Sequence, residues 1–509
     1  MQLEHSECQC NLRESLSRPF RCEFTQIDKY RKLRNGKDMK SSQIAAIVII
    51  IIIVAAVGYY AATSLGSTTS STTSTTSSTS TTSTPTTSSV STTSTSSTST
   101  TSTTSSAAYG PNVTIAMTVS QSGQYQPLDS GYLYLNQAWQ TYVNTHGGLV
   151  DANGQHHLVN VITGDDASST TQSVSLYHQY AEQEGANVLV SPYSADIGLS
   201  LLPISQQDKV PLIMAEASTK QMWNGTWTWA VTSMVPYWAN DAVNAWSASY
   251  FQLLNSTHWA KTIGFVGWQI SWAVDDYSSA LWLANHTTGL TTVYQALLQP
   301  NFVNPDFSAQ ITALKTAVNG TSPPDIIFCA MFGPFCAQFI TQAEAQGLVP
   351  KQWHTIEWGA SFASQLQAAG VSTANITSDV FWTPSFPSSN PGTALFQQTM
   401  QAASQLAVAA GKTPVNWYNY QNIELRWIIF QMINASVGSI PSANFSSPTS
   451  ENAALNYALH HLNINTISGP LVIQPQGYGT IGLVTVQFQN NEIQTVYPTS
   501  VANATYVHP

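Results

Sequence analysis

The stretch "VLVSPYSADIG" at 188–198 begins as an apolar strand and continues into small hydroxyl residues. The stretch "VPLIMAEAST" at 210–219 repeats this pattern. Both read as short buried strands that end in hydroxyl side chains just before a predicted helix. In parallel α/β sheets, ligands bind beyond the carboxyl ends of the strands, where helix N-termini also present free N–H groups. The two stretches therefore predict a small-ligand site at one edge of a parallel sheet.

Strands and helices alternate over most of the chain after residue 110. Strands such as "VTIAMTV" and "HLVNVITGDD" alternate with amphipathic helices, and after a Trp-rich passage a second run starts at "KTIGFVGWQ". Two runs of βαβ units predict an α/β fold with two lobes, each a parallel sheet sandwiched by helices. We expect lobe 1 at about 112–232 and 388–466, lobe 2 at about 238–380 and 470–498, and crossings near 230–238, 380–390 and 464–472.

The chain before this domain has a different composition. Residues 43–63 are apolar and uncharged, which is long enough to span a bilayer. Six Lys or Arg residues between 29 and 40 predict that residues 1–42 stay cytoplasmic and that the rest faces outside. A buried core helix is the alternative, but the isoleucine run leaves no polar face. Residues 64–109 are mostly Ser and Thr and predict a disordered stalk, either O-glycosylated or a bare linker.

The segment "MKSSQIAAIVIIIIIV", starting at Met39, resembles the pilin-like signals of archaeal surface solute-binding proteins. The resemblance implies cleavage before the apolar stretch, which would remain as the anchor of a single-pass cell-membrane protein. It also implies that Met39 is the true start. A secretory signal, which is removed, is the other interpretation.

The domain at 110–509 is poor in charge. It carries seven Lys or Arg against 20 Asp or Glu, a net charge of −13. This balance argues against nucleic acid or anionic lipid as a partner. So few charges also suggest an acidic exterior, where protonated carboxylates would leave a Lys-rich surface strongly self-repelling.

Export is supported by sequons and by cysteine usage. The domain has two cysteines, Cys329 and Cys336, which either form a disulfide outside the cell or remain as buried free thiols. The candidate N-glycosylation sites are Asn112, Asn224, Asn255, Asn285, Asn319, Asn375, Asn434, Asn444 and Asn503.

Residues 112–498 resemble the branched-chain amino-acid-binding family of ABC-transporter solute receptors, which has the type I periplasmic-binding fold. The resemblance is carried by the order of elements and by local matches, among them "AMTVSQSGQYQPLDSGYLYLNQAWQTYVNTHGGLV", "VITGDDASSTTQSV", "IEWGAS" and "GPLVIQPQGYG". It implies a receptor whose lobes close around an amino acid with a branched or other apolar side chain. It also implies delivery of that solute to an ABC permease in the membrane.

The resemblance assigns the polar contacts of the first lobe. Ser194 and Ser218 match the hydroxyls that hold the carboxylate and ammonium of the ligand. Either could instead be a simple helix N-cap. Glu216 stands where the family uses a main-chain carbonyl beside a small residue. It is a departure that either adds charge to the ammonium site or narrows the pocket.

The resemblance also assigns contacts that cover the ligand. Glu357, in "IEWG", matches the acid that pairs with the ammonium. Trp272 and Phe332 match aromatic side chains that close over the ligand, and Tyr125 matches a further contact. For the aromatic residues, ordinary core packing is the alternative.

No motif in the sequence indicates a chemical reaction. The glycine pattern "GYGTIG" at 477–482 leads into a strand, so it lacks the helix that dinucleotide binding requires. Adjacent Asp165 and Asp166 read as turn or cap residues. We expect no enzyme activity, no cofactor and no metal. One alternative is a receptor of the same fold for a sugar, amide, urea or short peptide, with Trp268 and Trp272 near the cleft as stacking residues for a sugar. Another is an adhesive surface glycoprotein.

Overall fold

The computed structural model describes residues 109–509, except 224, 357–359, 418, 421 and 490–491. The predicted cytoplasmic extension, the apolar segment and the stalk up to residue 108 lie outside the described residues. Within the described part, no helix combines the length and the apolar character needed to cross a bilayer.

The first lobe is built on a parallel sheet. Its elements are, in chain order, β1 (Val113–Val119), α1 (Gln126–Asp129), α2 (Tyr132–Thr145), β2 (Leu149–Val150), β3 (His156–His157), β4 (Val159–Asp165), α3 (Thr170–Glu182), β5 (Val188–Val190), α4 (Ala195–Asp208), β6 (Leu212–Met214) and β7 (Ala230–Thr232). The sheet has five strands in the order β4-β1-β5-β6-β7, and every pair is parallel. Strand β1 is apolar and buried along almost its whole length, as expected where helices cover both faces.

The second lobe repeats this alternation. Its elements are α5 (Ala248–Thr257), β8 (Thr262–Trp268), α6 (Ser271–Leu283), a π-helical turn (Ala284–Thr288), β9 (Thr291–Leu298), α7 (Ser308–Leu314), β10 (Ile326–Ala330), α8 (Gly333–Ala345), β11 (Gln352–Ile356), α9 (Ala360–Ala368) and β12 (Ile376–Val380). Neighbouring strands of this run pair in parallel, in the order β12-β11-β10-β8-β9.

The chain then returns to the first lobe. It forms α10 (Thr393–Ala409), α11 (Ile423–Gly438), a 3₁₀ turn (Ser442–Ser446), α12 (Pro448–His460) and the antiparallel ribbon β13 (Asn463–Thr466) and β14 (Gly469–Val472). Helix α10 packs along α2. Helix α11 is buried on nearly all sides, and its Arg426 is fully buried with the guanidinium 4.7 Å from the ring centroid of Tyr132.

Two antiparallel strands complete the second sheet, which therefore differs from an all-parallel expectation. Strand β15 (Val484–Gln489) pairs with β12, and β16 (Glu492–Tyr497) pairs with β15, both antiparallel. Only two residues separate β15 from β16, too few for the crossover that parallel neighbours need.

Crossings between the lobes follow β7, β12 and β14. The third lies at 473–483, after the ribbon, and not at the predicted 464–472. There the backbone runs beside the first crossing, with the N–H of Val235 donating to Ile481 O at 3.0 Å. At Gly479 an added Cβ would lie 2.2 Å from Ser233 O. This close approach explains a glycine within the "GYGTIG" pattern.

Candidate functional site

The candidate site lies where the carboxyl ends of the strands of both sheets face each other. Strands β1, β5 and β6 are parallel neighbours, so the segments that follow them lie at one edge of the first sheet. Strands β8, β10 and β11 present their carboxyl ends in the same way in the second lobe. This arrangement is a cleft of the kind in which parallel α/β proteins bind ligands.

Two aspartates at the end of β4 hold the loop that follows β1 against the sheet. The fully buried carboxylate of Asp166 accepts hydrogen bonds from the hydroxyls of Thr118 and Ser120, each at 2.6 Å. The carboxylate of Asp165 accepts from the N–H of Gln121 at 2.9 Å and of Ala167 at 2.8 Å. Both carboxylates therefore fix the conformation of these loops and have a structural role.

Ser194 occupies the N-cap position of α4. It has the extended backbone of an N-cap residue, but its side chain makes no capping hydrogen bond. The hydroxyl instead bonds to the side chain of Tyr125. Burial raises the pKa of Tyr125 above its usual value, and the bond with Ser194 opposes that rise. The cap interpretation therefore does not account for the Ser194 hydroxyl.

Ser218 lies in a different setting from the predicted one. The chain continues from Ser218 into turns at 220–223, not into a helix, so the serine cannot be a helix N-cap. The hydroxyls of Ser218 and Thr219 are both buried, and neither has a hydrogen-bond partner. A buried polar group without a partner costs about 1–3 kcal/mol. The pair is therefore poised to bond with a bound group.

Glu216 is directed to the first lobe's own side chains. Its carboxylate accepts from the Tyr132 hydroxyl at 2.6 Å and from the Asn422 side-chain amide at 2.9 Å. Its main-chain carbonyl accepts from the Tyr237 hydroxyl at 3.2 Å. These bonds tie β6 to α2 and to the start of α11, which is a structural role for the carboxylate.

The aromatic residues assigned to the cleft lie together. Phe332, directly after β10, has its ring centroid 5.9 Å from Tyr125 and 5.1 Å from Trp272. Because Tyr125 belongs to the first lobe and Phe332 to the second, these rings touch across the cleft. All three side chains are buried.

The structure adds Tyr193 and Phe302, which the sequence did not single out for the site, and groups them with Trp268, which the sequence placed near the cleft. Tyr193 packs on Phe332 at 6.1 Å, and Phe302 packs on Tyr125 at 6.5 Å and on Phe332 at 6.2 Å. Trp268, at the end of β8, packs on Phe302 at 5.0 Å. The sequence held a sign of each position. Tyr193 lies inside the stretch at 188–198, and Phe302 is the one aromatic residue in the polar loop "PNFVN".

Polar bonds also join the two lobes. The Ser271 hydroxyl donates to Asp196 Oδ1 at 2.5 Å, and the N–H of Lys220 donates to Asp275 Oδ2 at 2.6 Å. Each bond connects a segment that follows a first-lobe strand with helix α6. Together with the ring contacts, they place the lobes in a closed arrangement.

Cys329 and Cys336 form a disulfide. It connects the carboxyl end of β10 to the first turn of α8. The loop that it closes carries Phe332 and Phe335. Phe335 packs on Trp268 with centroids 4.5 Å apart. The cross-link therefore closes the short loop that supports the aromatic contacts of the second lobe.

Two of the predicted residues fall outside the described part of the chain, Glu357 and the sequon residue Asn224. Strand β11 ends at Ile356, directly before Glu357. Among the sequon asparagines that the structure describes, Asn444 is half-buried and the others are exposed.

One group of side chains has the composition of a metal site. His178, Glu182 and Asp208 bring three potential ligand atoms within 4.8 Å of one another, the only such group in the described residues. They lie on α3 and α4 at the surface, and His178 and Glu182 are well exposed. Exposed groups of this kind are common without an ion, so the trio is not part of the candidate site.

Solved structures share this architecture at low sequence identity. LivJ from Streptococcus pneumoniae, in complex with isoleucine, is 13% identical; the match covers 78% of this chain and 100% of that chain, with a TM-score of 0.56. A solute-binding protein from R. palustris in complex with benzoate is also 13% identical, with 78% and 98% coverage and a TM-score of 0.56. An ABC-transporter substrate-binding protein from Aeropyrum pernix is 14% identical, with 77% and 97% coverage and a TM-score of 0.59.

No curated protein matches this chain. A family model described as "Periplasmic binding protein" matches residues 112–482, which is most of the chain and nearly all of the two-lobed domain. With two lobes built on parallel and mostly parallel sheets, three crossings and a cleft at the strand ends, the chain belongs to the periplasmic binding protein family.

Proposed function

We propose that the protein is the substrate-binding protein of an ABC transporter. It is held at the outer face of the cell membrane by residues 43–63 and captures a small carboxylate-bearing solute between its lobes. It then delivers that solute to a permease. The ligand is a carboxylate with an apolar body, such as an amino acid with a branched or other apolar side chain.

The observation that carries this proposal is the pair of buried hydroxyls at the end of β6. Ser218 and Thr219 follow β6 at the carboxyl edge of the first sheet, and their buried hydroxyls are two hydrogen-bond donors without a partner. A carboxylate would accept both bonds, and a charged acceptor makes such bonds about twice as strong as neutral ones. The aromatic rings that meet across the cleft suit an apolar body.

The ligands of similar proteins support a carboxylate as the shared group, with a side chain or ring that differs between proteins. LivJ was solved with isoleucine and the R. palustris protein with benzoate. The two ligands share a carboxylate and differ in the rest.

The alternative ligands are a sugar, an amide, urea or a short peptide. A sugar needs polar partners for several hydroxyl groups, whereas Tyr125, Phe302 and Phe332 meet in the cleft as aromatic rings. This lining favours a small carboxylate with an apolar body over a sugar.

Thermal unfolding of the full-length protein against amino acids, small carboxylates and oligosaccharides tests the proposal. A ligand that binds only the native state raises the unfolding midpoint with the logarithm of its concentration. We expect a shift with a carboxylate ligand and about a tenfold or greater loss of affinity in Ser218→Ala. For an amino acid, Glu357→Ala should also weaken binding. A shift with sugars alone would contradict the proposal.

A further inference from the structure

Aromatic side chains from both lobes meet in the cleft and form what we term the cleft aromatic cluster. Its members are Tyr125 and Tyr193 from the first lobe and Trp268, Trp272, Phe302 and Phe332 from the second. Three ring pairs cross the cleft, with centroids 5.9, 6.1 and 6.5 Å apart. Two of them are edge-to-face, an arrangement that aromatic quadrupoles prefer, and the Tyr193–Phe332 pair is tilted.

These cross-cleft pairs separate when the lobes hinge apart, because their two members sit on different sheets. Hinge opening is the usual motion of two-lobed receptors. It would leave a slot with aromatic walls on both sides. A flat ring that enters the slot can replace each lost ring contact with a new one. A saturated body of equal size buries similar area but restores none of the quadrupole contacts.

Hydrogen-bond donors lie next to the cluster. Besides the hydroxyls of Ser218 and Thr219, the indole N–H of Trp272 is buried and without a partner. The bond from the N–H of Lys220 to Asp275 brings the segment that follows β6 against the first turn of α6, where Trp272 lies. The Lys220–Asp275 bond thus joins the segment that carries Ser218 and Thr219 to the helix that carries Trp272.

The carboxylates near this point are already engaged. Asp196 accepts from Ser271, and Asp275 accepts from Lys220. Glu216 accepts from Tyr132 and Asn422, within its own lobe. The described residues at this end of the cleft therefore present donors and rings, which complement an anion attached to an aromatic body.

We infer that the ligand is a carboxylate that carries an aromatic ring, and that Tyr193, Phe302 and Trp268 are specificity-determining residues together with Tyr125, Trp272 and Phe332. The inference rests on the proposed function, because it names the body of the carboxylate that the receptor captures. It covers both arene carboxylates and aromatic amino acids.

Calorimetric titration of the full-length protein with benzoate and with cyclohexanecarboxylate tests the inference. The two probes have the same carboxylate and nearly the same size, and only benzoate has a flat aromatic ring. Each aromatic pair adds about twofold to tenfold in affinity. We therefore expect benzoate to bind about tenfold or more tightly than cyclohexanecarboxylate. Phenylalanine and leucine form a second pair with the same expectation, and phenylalanine binding above benzoate would point to an ammonium partner such as Glu357.

Phe332→Leu removes the central ring while keeping an apolar side chain. We expect the preference for benzoate to fall to within about twofold. Phe307→Leu is the matched control, since Phe307 is buried in the second lobe and packs on Phe339, outside the cluster; it should keep the preference. If Phe332→Leu does not fold, Tyr193→Leu removes a ring from the opposite lobe. Ser218→Ala should weaken benzoate and cyclohexanecarboxylate equally.

The outcomes separate this inference from the proposed function. Equal or tighter binding of cyclohexanecarboxylate or leucine would overturn the aromatic ligand and leave the carboxylate receptor standing. Retention of the benzoate preference in both ring variants would overturn the cluster as its cause. Binding of no carboxylate and no amino acid would overturn both proposals.

Discussion

Removing the disulfide between Cys329 and Cys336 should lower the free energy of unfolding, because the bond closes a short loop in the second lobe. The bond closes a loop of sequence separation 7 between β10 and α8. Both sulfur-bearing residues are fully buried. The perturbation is the double variant Cys329→Ala and Cys336→Ala, which opens the loop without leaving a buried hydroxyl.

The magnitude follows from loop-closure entropy. Cross-linking a loop of about eight residues lowers the entropy of the unfolded chain by about 8 cal/mol/K, or about 2.5 kcal/mol at 25 °C. Lost packing of the two sulfurs adds to this value. We therefore expect the free energy of unfolding to fall by about 2.5 kcal/mol or somewhat more.

Urea unfolding followed by tryptophan fluorescence measures the change. The single variant Cys329→Ala is the control: it opens the same loop, so its stability should lie within about 1 kcal/mol of the double variant. A loss below about 0.5 kcal/mol would refute the entropic reasoning. A much larger loss in the double variant than in the single one would assign the effect to packing.

Two further predictions concern buried carboxylates of the first lobe. Burial raises the pKa of Asp129 to about 7, although the Arg426 guanidinium opposes the rise. The folded state thus keeps a proton that the unfolded state releases near pH 4, so the free energy of unfolding should fall by roughly 2 kcal/mol between pH 5 and pH 7. Asp129→Asn should remove this slope in urea unfolding, and a slope that persists would contradict the assignment. Glu216→Gln should cost about 1–3 kcal/mol, because the amide cannot accept from both Tyr132 and Asn422; ligand affinity by calorimetry should change less than threefold, and a larger change would place Glu216 in the ligand site.

Local patterns predicted the elements better than they predicted their surroundings. The opening stretch indicated β5, the start of α4 at Ser194 and the position of both at a sheet edge, since burial and capping leave local traces. The helix expected after Ser218 was wrong. There the N–H of Lys220 donates to Asp275 of the other lobe, and Met222 and Trp223 are buried. A long-range hydrogen bond and tertiary packing override the local preference for a helix. Neither can be inferred from the neighbouring residues in the sequence.

The sequence by itself determined the class of fold, the family resemblance and the strand ends at which a ligand site had to lie. Those features follow from hydrophobic periodicity and from turn and cap chemistry, which act over a few residues. Only the tertiary structure decided which groups meet there. It turned Glu216 toward Tyr132, left the Ser218 hydroxyl without a partner, and brought Tyr193 against Phe332. These contacts join residues far apart in the chain, and they depend on how two sheets close on each other, which the local pattern of neither sheet contains.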